Sequence, residues 1–541
     1  MLEERRPEIG AVTGVAEPVA EPAARSAGAY RDPAAWAAAA CVFGAYLTIS
    51  LYRLWQRAPS SWDLGIYTEY VKQFAYLHAP IVDVRGPGFN ELGDHFQVIV
   101  ALIAPFFRVF PSVDTLLAAQ ALLTAISVFP VTTAAVALLG RGPGRAIGFA
   151  YGFSWGLQQM IDFDFHEIAF AVPLLAFSLS ALARGRTRAA VLWALPLVFV
   201  KEDQGFTVAA IGLLMMLSRK FPAGAEGGRD GRFRLPRGSV GGGAFLVMWG
   251  LFWSLLAIYV IIPHFNAAHR YLYWDIGGVV GSGTPFSVTG LVAQFFHAWP
   301  DKLGTVVMLL LPTAFIALGS PVALTVLPSL ALRFLATNPF YWQTNFHYNA
   351  TAMPILFLSA AEVMARWRAA GPPAPGLGTG GLGTGRLGTG RLRMGGLGMG
   401  GLGMGGLWAA AKAGAARHGA AMMAALAVAL AFQFPLSGLW HASTYQMSPH
   451  IAAIDAAMAE VPDGATVQTT LGLLAPLAAR TDTFWIGNRG NPATQYIVFD
   501  GLESGYSPPP SNVPKFIGQL YPTAGYTEIF VSNDVYVFRR G

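Results

Sequence analysis

Long apolar runs, interrupted by short arginine clusters, dominate this sequence and restrict what it can become. A membrane-crossing helix needs about 20 predominantly apolar residues. Candidate runs occur at 34–52, 113–139, 145–162, 167–183, 189–200, 204–218, 240–262, 303–319, 321–336, 349–365 and 419–437. Only 12% of the 541 residues are charged, against about 25% in a soluble globular chain. A single soluble domain, a disordered chain, a collagen and a coiled coil are all excluded. Of the 36 basic residues 30 are arginine, clustered between the apolar runs. That is the positive-inside pattern of a polytopic membrane protein, so the net charge of +6 does not point to nucleic acid. The sole cysteine, Cys41, sits in an apolar run, which removes disulfides and cysteine-based zinc sites.

Counting crossings from a cytoplasmic N-terminus puts Arg141, Arg145, Arg184, Arg186, Arg188, the 219–237 cluster, Arg366 and Arg368 on one side. The count works only if 96–110, interrupted by Pro105 and Arg108, lies at the interface or re-enters. The expected fold is an all-α polytopic integral membrane protein of about 11 transmembrane helices. Interfacial helices occupy its first outer loop, and a small α/β domain follows the last span. Residues 1–32 read as a disordered cytoplasmic tail without a cleavable signal peptide, and 33–370 as the transmembrane domain. Residues 371–407 read as a cytoplasmic Gly-rich linker, 408–439 as the last transmembrane helix, and 440–541 as an extracytoplasmic α/β domain. The linker's pentads, from Gly376 to Gly405, have no face to bury. In the last domain, 465–471, 495–500 and 527–540 read as strands, the final segment as a hairpin turning at Asn533-Asp534. Ile451–Glu460 and Leu473–Arg480 read as helices.

The same count gathers acids and histidines at the outer face, where ionisable groups are usually functional or paired. Three segments carry most of them. Ser61-Trp62-Asp63-Leu64-Gly65-Ile66-Tyr67-Thr68-Glu69-Tyr70 sets Asp63 among aromatics, where partial burial can tune it as a general base. The alternative is an interfacial helix with an aromatic belt and Asp63 as its N-cap. Gly93-Asp94-His95-Phe96 offers an Asp-His pair for a metal, for a phosphate-linked ligand or for capping. Asp162-Phe163-Asp164-Phe165-His166-Glu167 can ligate a divalent cation through oxygens and one imidazole. The zinc-protease, Walker and dinucleotide patterns are absent.

Trp62-Asp63-Leu64-Gly65-Ile66-Tyr67, Gly93-Asp94-His95-Phe96, Phe163-Asp164-Phe165-His166-Glu167 and Lys201-Glu202-Asp203 together resemble, in order, the landmarks of the bacterial membrane family DUF2079. That family is similar to GT-C glycosyltransferases, which use polyprenyl-phosphate sugars. The resemblance implies a GT-C-like fold and transfer of a sugar from a polyprenyl-phosphate donor at the outer face of the plasma membrane. The acceptor would be an envelope glycan, lipid or protein. It implies Asp63 as the catalytic base, with Asp94 as its rival, since GT-C first loops often carry an acidic pair and Leu64 follows Asp63 here. Tyr67, Glu69, His95, Asp164, His166, Glu167, Lys201 and Glu202 would bind substrate, Lys201 offsetting phosphate charge. Asp94, His95, Asp164 and His166 are the candidate ligands of a divalent cation, the one cofactor considered. The Ala-, Gly- and Arg-rich composition resembles that of a high-GC actinobacterial protein. Two other classes stay open: a transporter or flippase, although no internal repeat is visible, and a catalytically inactive envelope scaffold.

Overall fold

The computed structural model describes residues 32–57, 61–217, 239–274, 288–370 and 404–541. The expected N-terminal tail up to residue 31 and the linker up to residue 403 lie outside the described residues. The fold is mostly helical, with a small sheet at the C-terminus. The helices that matter here are α1 (Pro33–Trp55), α2 (Trp62–Ala75), α3 (Val113–Leu139), α4 (Ile168–Ala183), α5 (Gln204–Leu217), α6 (Ser239–Leu256), α7 (Ala352–Ala370) and α8 (Met404–Ala431). Three more belong to the C-terminal domain: α9 (Pro449–Ala459), α10 (Leu474–Ala478) and α11 (Val513–Leu520).

Helix α3 is apolar on all sides, as a helix at the centre of a bundle must be, and it packs against α1, α4 and α7. Helices α5 and α6 approach closely because glycines face each other. A Cβ on Gly205 would run into the Gly250 carbonyl, and one on Gly212 into that of Gly243. Small residues at such contacts are how membrane helices gain van der Waals packing where lipid supplies no hydrophobic drive.

Four helices among the described residues are long and apolar enough to cross a membrane: Pro33–Trp55, Val113–Leu139, Val240–Phe265 and Ala410–Ala431. The other expected crossings are shorter, less apolar or interrupted. The 145–162 run divides into helices Arg141–Gly152 and Trp155–Asp162. The 303–319 run breaks where Ala314 and Phe315 take left-handed φ values of 48° and 61°. The 96–110 segment is a 3₁₀ turn, Val98–Ile103, running into a short helix, Ala104–Val109. Val100 and Phe107 are buried while Leu102, Phe106 and Val109 are exposed, so one apolar face of the segment packs on the chain and the other is left uncovered.

The C-terminal sheet has strands β1 (Thr466–Thr469), β2 (Asp482–Trp485), β3 (Tyr496–Asp500), β4 (Tyr526–Ser532) and β5 (Val535–Arg540), in the order β2-β1-β3-β5-β4. The first three pair in parallel and β5 runs antiparallel to both of its neighbours. Asn533 and Asp534 both have positive φ, 44° and 60°, the type I′ geometry that suits a two-residue hairpin. Strand β2 and helix α11 were not among the expected elements.

This domain is fastened to α2. Leu474, Ala475 and Ala478 of α10 belong to the same hydrophobic core as the helical bundle. The Trp62 and Trp485 rings meet at 5.6 Å, Lys72 Nζ donates to the Thr481 carbonyl at 2.7 Å, and Asn488 Nδ2 donates to the Val84 carbonyl at 2.8 Å. At the centre of the contact a Cβ on Gly65 would stand 3.0 Å from Leu474 Cβ, so only glycine lets the two helices come this close.

Glu69 lies in the same region, buried, with Oε2 accepting the Val84 N–H at 3.0 Å. Burial pushes its carboxyl up to about 8, against the opposing pull of Lys72. The folded state therefore holds a proton that the unfolded chain releases near the ordinary glutamate value. Stability should fall as pH rises from about 4.5 towards 8 and level off above it. Thermal melts across that range should show the decline, and Glu69→Gln should flatten it. A second expectation concerns the docking contact. Gly65→Leu should destabilise by about 1–3 kcal/mol through overpacking and open the C-terminal domain to limited proteolysis. Gly44→Leu, where a Cβ meets nothing within 4 Å, should change neither.

Candidate functional site

Helix α2 begins with Ser61, whose side chain accepts the Leu64 N–H at 3.1 Å. Ser61 is the N-cap; Asp63, the expected alternative for that role, lies in the first turn with its carboxylate free to point elsewhere. Asp63 Oδ2 sits 3.2 Å from His166 Nε2, and its side chain is 40% exposed while that of His166 is 3% exposed. The loop carrying His166 is pinned by Gln120 of α3. Gln120 Nε2 donates to the Asp164 carbonyl at 2.7 Å, and Gln120 Oε1 accepts the His166 N–H at 3.0 Å. Burial raises the Asp63 carboxyl, but the hydrogen bond and charge of His166, with Lys201 and Arg85 behind it, outweigh burial and hold it below the usual range. At neutral pH Asp63 is a carboxylate able to accept a proton.

Beside this pair lies a cavity of about 140 Å³, lined by His95, Glu167, Lys201, Glu202, Asp203, Arg333, His347 and the tyrosines 271, 273, 341 and 348. Its walls are held by paired charges. Lys201 Nζ donates to Glu167 Oε1 at 3.0 Å, and the Tyr67 hydroxyl donates to Glu167 Oε2. His95 Nδ1 is 2.9 Å from Glu202 Oε1, which also accepts from Tyr271 at 2.8 Å. Burial alone would raise Glu202, yet His95 and Lys201 bring it down to about 2. Arg333 is held by neutral acceptors, the carbonyls of Tyr341 and Tyr348 and Oδ1 of Asn349, at 2.6, 3.1 and 2.9 Å. Two cations and four phenols thus share one small space with the carboxylates of Glu167, Glu202 and Asp203, and Arg333, met only by neutral acceptors, is the cation left to face a phosphate group.

A second cavity, of about 410 Å³, is lined by Arg53, Ser61, Gln159, Asp162, Phe163, Asp164, Asn345 and Phe346. Asp164 Oδ2 accepts the Ser61 N–H at 2.6 Å, and Arg53 is paired with Asp162 at 2.7 Å.

The expected site residues divide on this map. His95, Glu167, Lys201 and Glu202 line the first cavity; His166 stacks on its wall residue His347 at 4.0 Å, and Asp63 reaches it through His166. Asp164 does not join them; it faces the second cavity. Tyr67 acts from behind through Glu167, and Glu69 lines neither cavity. Asp94 is no free base: Arg85 pairs with it at 2.5 Å, and the Tyr273 hydroxyl lies 3.1 Å away. The four candidate metal ligands do not converge, because His166 is taken by Asp63, Asp164 by Ser61, His95 by Glu202 and Asp94 by Arg85. Among the described residues no three His, Cys, Asp or Glu side chains form a metal set. Sequence reading missed Arg85, Arg333 and the four tyrosines. Arg333 was detectable as a charge inside the apolar 321–336 run, a position that is functional by default.

Comparison with curated proteins returns no match. Among solved structures, the crystal structure of ArnT from Cupriavidus metallidurans bound to undecaprenyl phosphate is similar at 12% identity and a TM-score of 0.48, covering 92% of this chain and 97% of that one. Residues 53–372, more than half of the chain, match the family described as predicted membrane protein (DUF2079). The chain belongs to that family.

Proposed function

We propose that this protein is a membrane glycosyltransferase that moves a sugar from a polyprenyl-phosphate donor to an acceptor hydroxyl. The observation that carries this reading is the Asp63 carboxylate held by His166, whose ring stacks on His347 in the wall of a cavity that Lys201 and Arg333 also line. In the reaction the acceptor oxygen forms a bond to the anomeric carbon of the sugar, and the bond from that carbon to the phosphate oxygen breaks. Asp63 takes the proton that the acceptor hydroxyl loses. The leaving polyprenyl phosphate keeps the bonding electron pair, and Lys201 and Arg333 offset its charge. His166 orients the base. Glu167 and Tyr67 fix the Lys201 ammonium, and His95 with Glu202 braces the opposite wall as positioning residues. The reading places the site at the outer face, in a bundle of about 11 crossings with the N-terminus cytoplasmic, the C-terminal domain outside and an envelope component as acceptor.

Two experiments test it. Asp63→Asn keeps shape and hydrogen-bonding capacity while removing the proton acceptor. Turnover of lipid-linked sugar in membranes should fall by about 10²–10⁴-fold with the fold intact, and full turnover would reject Asp63 as the base. The acid limb of kcat/KM should lie below the roughly 3.9 of a free aspartate. It should move upward in His166→Gln, which removes the interaction that holds Asp63 down. For topology, a reporter active only outside the cytoplasm should work when fused after Gly541 and fail within Gly376–Gly405; the reverse pattern would put the site on the other face.

A further inference from the structure

The second cavity is not needed for binding the donor phosphate, yet only one layer of rings separates it from the first. Phe163, in its wall, stacks on His166 with centroids 4.8 Å apart. His166 stacks in turn on His347 at 4.0 Å, and His347 lines the first cavity. Phe163 also lies 5.7 Å from His347, so the three rings form one compact cluster between the two spaces, and the imidazole that holds Asp63 belongs to it. Ser61, two residues before Asp63, lines the second one.

Building on the glycosyltransferase reading, we propose that this second cavity is the acceptor site and that it takes an uncharged, hydroxyl-rich sugar. Its volume falls in the range of about 300–1,000 Å³ typical of small-molecule sites. It differs from the first cavity in having no cation like Arg333, whose charge is met by neutral acceptors alone. The one cation, Arg53, is already engaged by both the carboxylate and the carbonyl of Asp162, at 2.7 and 3.1 Å. Asp164 adds a second carboxylate, and among the described residues no other cation lines the space. An anionic acceptor would meet carboxylates with no cation left to pair with it. The side-chain amides of Gln159 and Asn345 offer donors and acceptors matched to sugar hydroxyls. Phe163 and Phe346 meet edge to face at 4.3 Å and give an apolar surface for the C–H face of a ring. Asp164 and Phe346 are both held at positive φ, 62° and 66°, a conformation uncommon for non-glycine residues, especially a bulky aromatic.

The test uses the full chain in nanodiscs and saturation-transfer NMR with methyl α-mannoside, mannose 6-phosphate and glucosamine as probes. The neutral glycoside should bind in the millimolar range. Gln159→Ala and Asn345→Ala should each weaken it about fivefold, the worth of one hydrogen bond, and Phe346→Ala should weaken it further. Mannose 6-phosphate should bind more weakly than the glycoside. Tighter binding of the phosphate or of the amine would overturn the uncharged class, and neutral-sugar binding indifferent to all three substitutions would overturn the site. Undecaprenyl phosphate serves as the parallel probe, read by thermal shift. It should stabilise the wild type and all three variants, which also reports their folding, but not Arg333→Met. Donor stabilisation without a sugar response in this cavity would reject the acceptor proposal alone, whereas no donor stabilisation in any protein would reject the glycosyltransferase reading itself.

Discussion

Glu167 is completely buried and sits where the chain turns into α4. A buried carboxylate must be paired, because removing one partner of such a pair costs about 3–5 kcal/mol. Lys201 supplies the charge and the Tyr67 hydroxyl fills the second oxygen. These three residues come from three segments far apart in sequence, so one electrostatic requirement draws α2, the turn before α4 and the turn before α5 to a single point. The first cavity is what remains beside that junction. The His95–Glu202 and Arg85–Asp94 pairs extend the same rule outward and leave Asp63 as the carboxylate that is both ionised and exposed.

That rule explains why much of the site was legible. Charged residues in a chain this apolar are few, and those at one end of the bundle have each other as partners. Asp63, His95, His166, Glu167 and Glu202 could be gathered from crossing count and local context, and Lys201 from the family resemblance. Their division into two chambers could not, since it depends on the left-handed backbone at Asp164 turning that carboxylate away from His166. The tyrosines were invisible for a different reason: as aromatics near apolar runs they read as interface belts, and only the tertiary fold turns their hydroxyls onto one space.

The spans were legible as apolar stretches but less so as helices. A hydropathy window counts side chains and does not register where backbone hydrogen bonding changes. Pro321 and Pro328 flank a 3₁₀ stretch, and the left-handed pair Ala314–Phe315 ends another. In the C-terminal domain the Asn533-Asp534 hairpin was readable because it is local. Strand β2 was not: it is four residues long, begins with an exposed Asp482, and owes its existence to a parallel partner sixteen positions earlier.

The grip of the C-terminal domain on α2 has a bearing on when the site exists at all. The Lys72–Thr481 hydrogen bond joins residues 409 positions apart, and the Gly65–Leu474 approach spans a similar stretch. Chains fold N-terminal portions first as they are synthesised, so the helix bearing Asp63 is made long before its clamp. Until the C-terminal domain emerges and docks, α2 has no wall on its Gly65 face and Trp62 has no Trp485 to meet. Synthesis of the C-terminal domain is thus built into completion of the candidate site, and until it docks Asp63 sits on an unsecured helix.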